Sequence, residues 1–291
     1  MFSDGTPLIC QKSVLLHKLE SFQESPPNVP FEEFEVVIDG GLLVHSVLSQ
    51  TNSGSSIQLI ASKMLSAIFK TNARTVHVCF DKYELVSLKN STRDQRGATE
   101  EVYKITGSDQ IIRQSGKKLL QSTNFKNELI LFLIEEWEKP HYSPYFQGKV
   151  LFASHGGRCR KYQKESGHIK ISSPSAFQGN HEEADTLVAF HVSKIESDVV
   201  VCASDTDIIC LLCSIERNPR FSLFVECGNG NSQRYINIKQ IVESLDEHQP
   251  GLSRVLPALH AFSGSDFTSA FYRSILQSYC VKFYIIIKII V

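Results

Sequence analysis

Apolar positions along this chain switch repeatedly between two periods. Strand-length runs rich in β-branched and aromatic residues fall at 34–39, 75–80, 149–154, 199–203 and 221–226. Between and after them lie stretches with helical spacing at 57–69, 125–137, 182–195, 236–245 and 252–262. A short leading helix is expected over 13–22, where Leu15, Leu19 and Phe22 share a face, before Ser25-Pro26-Pro27 and Pro30 break it. Strands separated by helix-length segments predict an α/β fold with a parallel sheet. Residues 1–30 then read as leading helix and linker, 31–273 as the main domain, and 274–291 as an isoleucine-rich tail that resembles a replaced C-terminus.

Carboxylates gather where these runs end. Asp39 closes the first strand, Asp81 follows the second, His181-Glu182-Glu183-Ala184-Asp185 opens a helix, and Asp205 and Asp207 follow the apolar run 199–203. Asp266 stands in Ser263-Gly264-Ser265-Asp266. In a parallel sheet the strand ends at one edge converge, so acids far apart in sequence become neighbours there. Crowded carboxylates call for raised pKa values or for cations. Oxygen ligands select hard ions, so the expected cofactors are two Mg²⁺ or Mn²⁺ ions. Each acid also has a simpler reading. Asp39 and Asp205 suit helix N-caps, and the acids around Glu183 and Asp185 suit a positive helix dipole end. Asp205 and Asp207, two apart after a strand, would point the same way if the chain stayed extended. His191 falls on an apolar helical stripe and is expected in the core.

Composition narrows this picture little. The 291 residues carry a formal charge of −1, with 42% hydrophobic and 21% charged residues, so no global basic field marks a nucleic-acid binder and any such contact must be local. One local candidate is the long connection 82–121, with Lys82, Lys89, Arg93, Arg96, Lys104, Arg113, Lys117 and Lys118; it reads as a binding or lid element or as a solvated excursion. Another is Arg158, Arg160, Lys161, Tyr162 and Lys164, which either touches phosphates or turns a hairpin. Eight cysteines without a secretory leader suggest reduced thiols and an intracellular chain, nuclear or cytoplasmic, and Cys210 and Cys213 suit helix packing. The sequon at Asn90 is then idle. The tail, interrupted by Lys282 and Lys288, is too short to span a membrane.

The order Ile38-Asp39-Gly40, Phe80-Asp81, His181-Glu182-Glu183-Ala184-Asp185, Ser204-Asp205-Thr206-Asp207 and Gly264-Ser265-Asp266 resembles the PIN-like fold of the flap endonuclease superfamily. It is more similar still to uncharacterised, mobile-element-associated eukaryotic proteins that share the His-Glu-Glu-Ala-Asp and His260-Ala261-Phe262-Ser263-Gly264-Ser265-Asp266 signatures. The resemblance runs from about Phe34 to Asp266. It implies a three-layer α/β fold with a central, mostly parallel sheet flanked by helices. It also implies metal ligands at Asp39, Asp81, Glu183, Asp185, Asp205, Asp207 and Asp266. A basic arch after the second strand would place Lys89 with Arg93 or Arg96 at the scissile phosphate. Apart from the resemblance, Lys82, Arg158, Arg160 and Lys161 are the basic residues taken as candidate contacts to DNA or RNA.

The expected function is therefore metal-dependent phosphodiester hydrolysis, structure-selective in the manner of flap endonucleases. Two other readings stand beside it. One is an inactive PIN-like scaffold or truncated mobile-element product, since such nucleases continue past the Gly-x-Asp turn into elements that grip duplex DNA. The other is a haloacid-dehalogenase-type phosphatase with Asp205 as nucleophile and Asp207 as general acid, which leaves Asp39, Asp81 and Asp185 without a role.

Overall fold

A computed structural model of the chain describes residues 12–23, 33–82, 103–228 and 230–263. Lys89, Arg93, Arg96, Asp266, the Asn90 sequon and the C-terminal tail lie outside them. The chain divides into two compact units, one from Glu32 to Cys202 and one combining Met1–Phe31 with Ala203–Val291.

The first unit is an α/β assembly around a mostly parallel sheet. Its strands are β1 (Glu35–Asp39), β2 (Thr75–Cys79), β3 (Val150–His155), β4 (Arg158–Glu165), β5 (His168–Ser172) and β6 (Val199–Cys202), in the order β5-β4-β3-β2-β1-β6. Pairs β1–β2, β2–β3 and β1–β6 are parallel, with Asp39 level with Cys79, Cys79 with Ser154, and Ile38 with Cys202. The helices are α2 (Gly40–Leu48), α3 (Ile57–Ile68), α4 (Gly116–Leu119), α5 (Thr123–Glu136) and α6 (Ala184–Lys194).

Burial on both faces explains why the central strands are so apolar. His77 points from β2 toward α6, where it meets His191, so Val76 and Val78 face the opposite side, and all three are fully buried. In α3, Ser56 caps the N-terminus by accepting from the Leu59 amide, and Ile57, Ile60, Ala61, Met64, Leu65 and Ile68 form one buried stripe. Each large side chain in such a stripe contributes about 1.5–3 kcal/mol relative to exposure. Trp137 donates its indole N–H to the Ala61 carbonyl, and Tyr162 donates its hydroxyl to Ile134, so these buried aromatics leave no stranded polar end.

The edge is antiparallel rather than parallel. Gly156 and Gly157 take φ of 57° and 82° between β3 and β4, and Ser166 and Gly167 take 49° and 86° between β4 and β5. Positive φ at both central residues is the requirement of a tight hairpin turn matching strand twist. The basic run at 158–164 is thus a hairpin strand. The described part of the 82–121 connection is tied to the scaffold, since Ile57, Gly54 and Gly116 donate to Gln110, Ile112 and Thr51, while Ile112 and Leu119 are buried.

The second unit holds α1 (Lys12–Glu20), α7 (Thr206–Ser214), the hairpin β7 (Leu223–Cys227) and β8 (Arg234–Asn237), α8 (Ile238–His248) and α9 (Leu252–Ser263). Leu19, Ile208, Ile209, Val225, Ile241 and Leu245 are fully buried in it. The leading helix belongs to this packing: Glu20 accepts from Arg234 at 2.6 Å and Phe22 from Ser244 at 3.0 Å. The expected helix at 236–245 begins two residues later, because Ile236 is the buried residue of β8 and Asn237 caps α8. No helix among the described residues is long and apolar enough to cross a membrane.

Candidate metal centre

In the first unit the strand ends place acids at one edge. Asp39 ends β1 and caps α2, its Oδ1 accepting from the Gly41 amide at 2.8 Å. The capping reading of Asp39 therefore holds. Asp81, two residues past β2, accepts from the Ala184 amide at 2.8 Å and so pins the first turn of α6 to the sheet edge. Beside it, the Lys82 amide donates to the Glu182 carbonyl at 2.8 Å. The two aspartates flank Gly41: a Cβ there would stand 3.2 Å from Asp39 Oδ1 and 3.8 Å from Asp81 Oδ2.

Helix α6 begins at Ala184 rather than at residue 182, with Glu183 as its N-cap residue in extended geometry and Asp185 in the first turn. Glu182 lies before the helix and is exposed. Glu183 makes no side-chain cap bond, and both Glu183 and Asp185 are half-buried.

His155, at the end of β3, is a residue sequence reasoning did not select. It is buried, and burial lowers its pKa, opposed by the backbone and charge of Asp81. The signal for it was its place at the end of an apolar strand directly before Gly156-Gly157. Nothing about a lone histidine there distinguishes it from a packing residue.

In the second unit, Asp205 is the N-cap of α7 and accepts from the Asp207 amide at 3.1 Å. The chain is helical from Thr206, so the extended geometry expected for the Asp-x-Asp pair does not occur. Backbone preference explains this: an Asp that can cap diverts the chain into a helix directly after the strand. The turn still brings carboxylate oxygens of Asp205 and Asp207 within 4.8 Å of each other, a separation at which one cation can take both. Asp207 is also held by His260 of α9, whose Nε2 lies 2.6 Å from its Oδ1. A carboxylate takes only donors, so Nε2 carries the hydrogen. The partner was visible only as part of the His260-Ala261-Phe262 signature, because the pairing joins residues 53 apart.

Neither a family model nor a curated protein matches the sequence.

The basic candidates scatter. Lys82 follows Asp81 directly and is half-buried. Arg158 is exposed on β4 opposite His155. Arg160 is spent on an ion pair with Glu138. Lys161 alternates to the other face of β4 and lies over the Phe152 ring, 5.6 Å from its centroid. These side chains therefore do not make one continuous patch. Cys210 and Cys213 are buried within α7, and burial pushes Cys213 up to about 12. Both thiols sit among the buried residues of α7, where the expected helix packing places them.

Proposed function

We propose that the chain is a divalent-metal-dependent nuclease that hydrolyses phosphodiester bonds in DNA or RNA. The observation that supports this best is the Asp205–Asp207 pair, two carboxylates from one helix start with oxygens within 4.8 Å and one of them fixed by a buried histidine. A ligating carboxylate anchored from behind by a second group is the usual way that a metal ligand is oriented. The donor set is all oxygen and suits Mg²⁺ or Mn²⁺ rather than a thiophilic metal. Ions bound there would polarise a phosphodiester and supply a nucleophilic water at neutral pH.

The residues divide the work accordingly. Asp205 and Asp207 hold a cation in the second unit, and Glu183 and Asp185 are proposed as ligands in the first. Asp39 and Asp81, flanking Gly41, supply ligands for a second ion, while Asp81 also fixes the start of α6 that carries Asp185. Lys82 and Arg158 offer charge for phosphate oxygens near the same strand ends. The resemblance adds Asp266 as a ligand and Lys89, Arg93 and Arg96 at the scissile phosphate. The fold supports the reading, since a parallel sheet with acids beyond its strand ends is where α/β proteins place their chemistry.

The decisive experiment is cleavage of labelled single-stranded, duplex and flap substrates with Mn²⁺ or Mg²⁺, comparing the intact protein with Asp205→Asn and Asp39→Asn. Metal-dependent cutting abolished by both substitutions is the expected result. A phosphatase would lose activity with Asp205→Asn but keep it with Asp39→Asn, and an inactive scaffold would cut nothing with any substrate while remaining folded.

A further inference from the structure

A second concave site lies in the first unit, at the edge of the sheet where β1, β2 and β3 begin, away from the acids at their ends. It is a cavity of about 410 Å³, within the size range of small-molecule pockets. Its floor is aromatic. Phe152 stacks flat on His77, centroids 4.3 Å apart at 2°, and Phe177 leans over both at 5.1 and 5.0 Å. Both phenylalanines are only half-buried, so ring surface is left facing the cavity.

The rim is cationic. Arg74, Lys161 and Lys194 all line the cavity, and none of them makes an ion pair among the described residues. Three cations with no ion pair among the described residues, around half-exposed rings, pair charge with a planar apolar surface, and Lys194 also lies over the Phe190 ring, 5.7 Å from its centroid. Of the two acids present, Glu35 is engaged: it accepts from His77 Nε2 at 3.0 Å and from the Ser197 hydroxyl at 3.1 Å. Glu196 is exposed at the rim and, with the Gln163 amide, offers hydrogen bonding for hydroxyl or amino groups.

We propose that this cavity binds a nucleotide, its phosphate on Arg74, Lys161 and Lys194 and its base on the Phe152–Phe177 surface. Guanidinium and ammonium groups complement phosphate, and every base has a face that stacks on an aromatic ring. A free phosphate would leave the rings unused, and an uncharged aromatic molecule would leave three cations unanswered. The same chemistry is presented by a free mononucleotide and by the phosphorylated end of a strand.

The test is isothermal titration of the intact protein in excess EDTA, which silences any cation site. Adenosine 5′-monophosphate is compared with adenosine, inorganic phosphate and a 5′-phosphorylated trinucleotide. The expected result is saturable binding of the monophosphate, at least about tenfold tighter than adenosine or phosphate, weakened about tenfold or more by Lys161→Glu and by Phe177→Ala. Urea midpoints of both variants establish that they fold. A trinucleotide that binds as well as the monophosphate identifies a strand end as the ligand, and its exclusion identifies the free nucleotide. Monophosphate binding no tighter than that of phosphate, or unchanged in folded Lys161→Glu and Phe177→Ala, overturns the proposal.

Discussion

His77 and His191 face each other through their Nδ1 atoms at 3.0 Å, both fully buried between the sheet and α6. The partners at either end fix the hydrogens. Glu35 is a carboxylate 3.0 Å from His77 Nε2, so that nitrogen donates. In neutral His77, Nδ1 is then the acceptor. His191 must donate from Nδ1, and its Nε2 accepts from the Ser154 hydroxyl at 2.9 Å. The chain from Ser154 to Glu35 is thus satisfied with both rings neutral.

That neutrality sets an acid limit on stability. Burial, followed by the charges of His77 and His181, lowers His191 to about 3, against 6.5 for a free imidazole, and burial lowers His77 too. Between these values the unfolded chain takes up a proton at residue 191 that the native state refuses, so stability falls as pH drops below 6.5. The slope is about 1.4 kcal/mol per pH unit for one such group. Urea denaturation should show a loss of about 2 kcal/mol between pH 6.5 and 5, reduced in His191→Gln. An equal acid slope in that variant would exclude His191 as its source.

The sheet centre and the acids were legible in the sequence, and the edge only as one of two readings of 158–164. Val36–Ile38, Val76–Val78 and Val199–Val201 are buried runs with no helical alternative of that length, and Asp39 and Asp81 stand where those runs stop. β4 and β5 carry too little apolar surface to register, β5 having a single half-buried isoleucine in Ile169 and an exposed one in Ile171. Only Gly156-Gly157 and Ser166-Gly167 marked them. α2 was hidden by Gly40 and Gly41, poor helix formers that sit harmlessly in a first turn. The His260–Asp207 contact is made by packing α9 on α7, a relationship that no local pattern encodes.

His260 offers a test of orientation. Removing its donor frees Asp207 to rotate, and loss of such an outer partner typically costs 10–100-fold in metal affinity. Mn²⁺ binding followed by electron paramagnetic resonance should weaken by about that factor in His260→Ala and recover in part in His260→Gln, which restores an N–H donor. Equal affinity in all three proteins would leave the histidine a packing residue.

Gly40 tests how tightly the first acid is seated. A Cβ on it would collide with Phe80 Cδ1 and stand 2.6 Å from the Cys79 carbonyl oxygen and 2.9 Å from Phe80 Cα. Two of those atoms are backbone of the neighbouring strand connection and cannot swing aside. Gly40→Ala should therefore destabilise by about 2–3 kcal/mol, more than the usual helical preference for alanine returns. Gly41→Ala, whose nearest neighbour would be Asp39 Oδ1 at 3.2 Å, should cost less stability but crowd the two carboxylates that flank it. Chemical denaturation of both variants checks the order.

Asp205 separates capping from catalysis most cleanly, because the two roles make different demands on one side chain. As a cap it needs only an oxygen to accept from the Asp207 amide, and asparagine supplies that as well as aspartate does. As a cation ligand it needs the negative charge, which asparagine lacks. Asp205→Asn should hold its unfolding midpoint to within about 0.5 kcal/mol of the parent, whereas Asp205→Ala loses about 1 kcal/mol. Both should abolish metal-dependent cleavage and raise the Mn²⁺ dissociation constant. If Asp205→Asn cleaves and binds Mn²⁺ like the parent while Asp205→Ala is merely less stable, the residue is a helix cap and the proposed centre loses one of its two paired ligands.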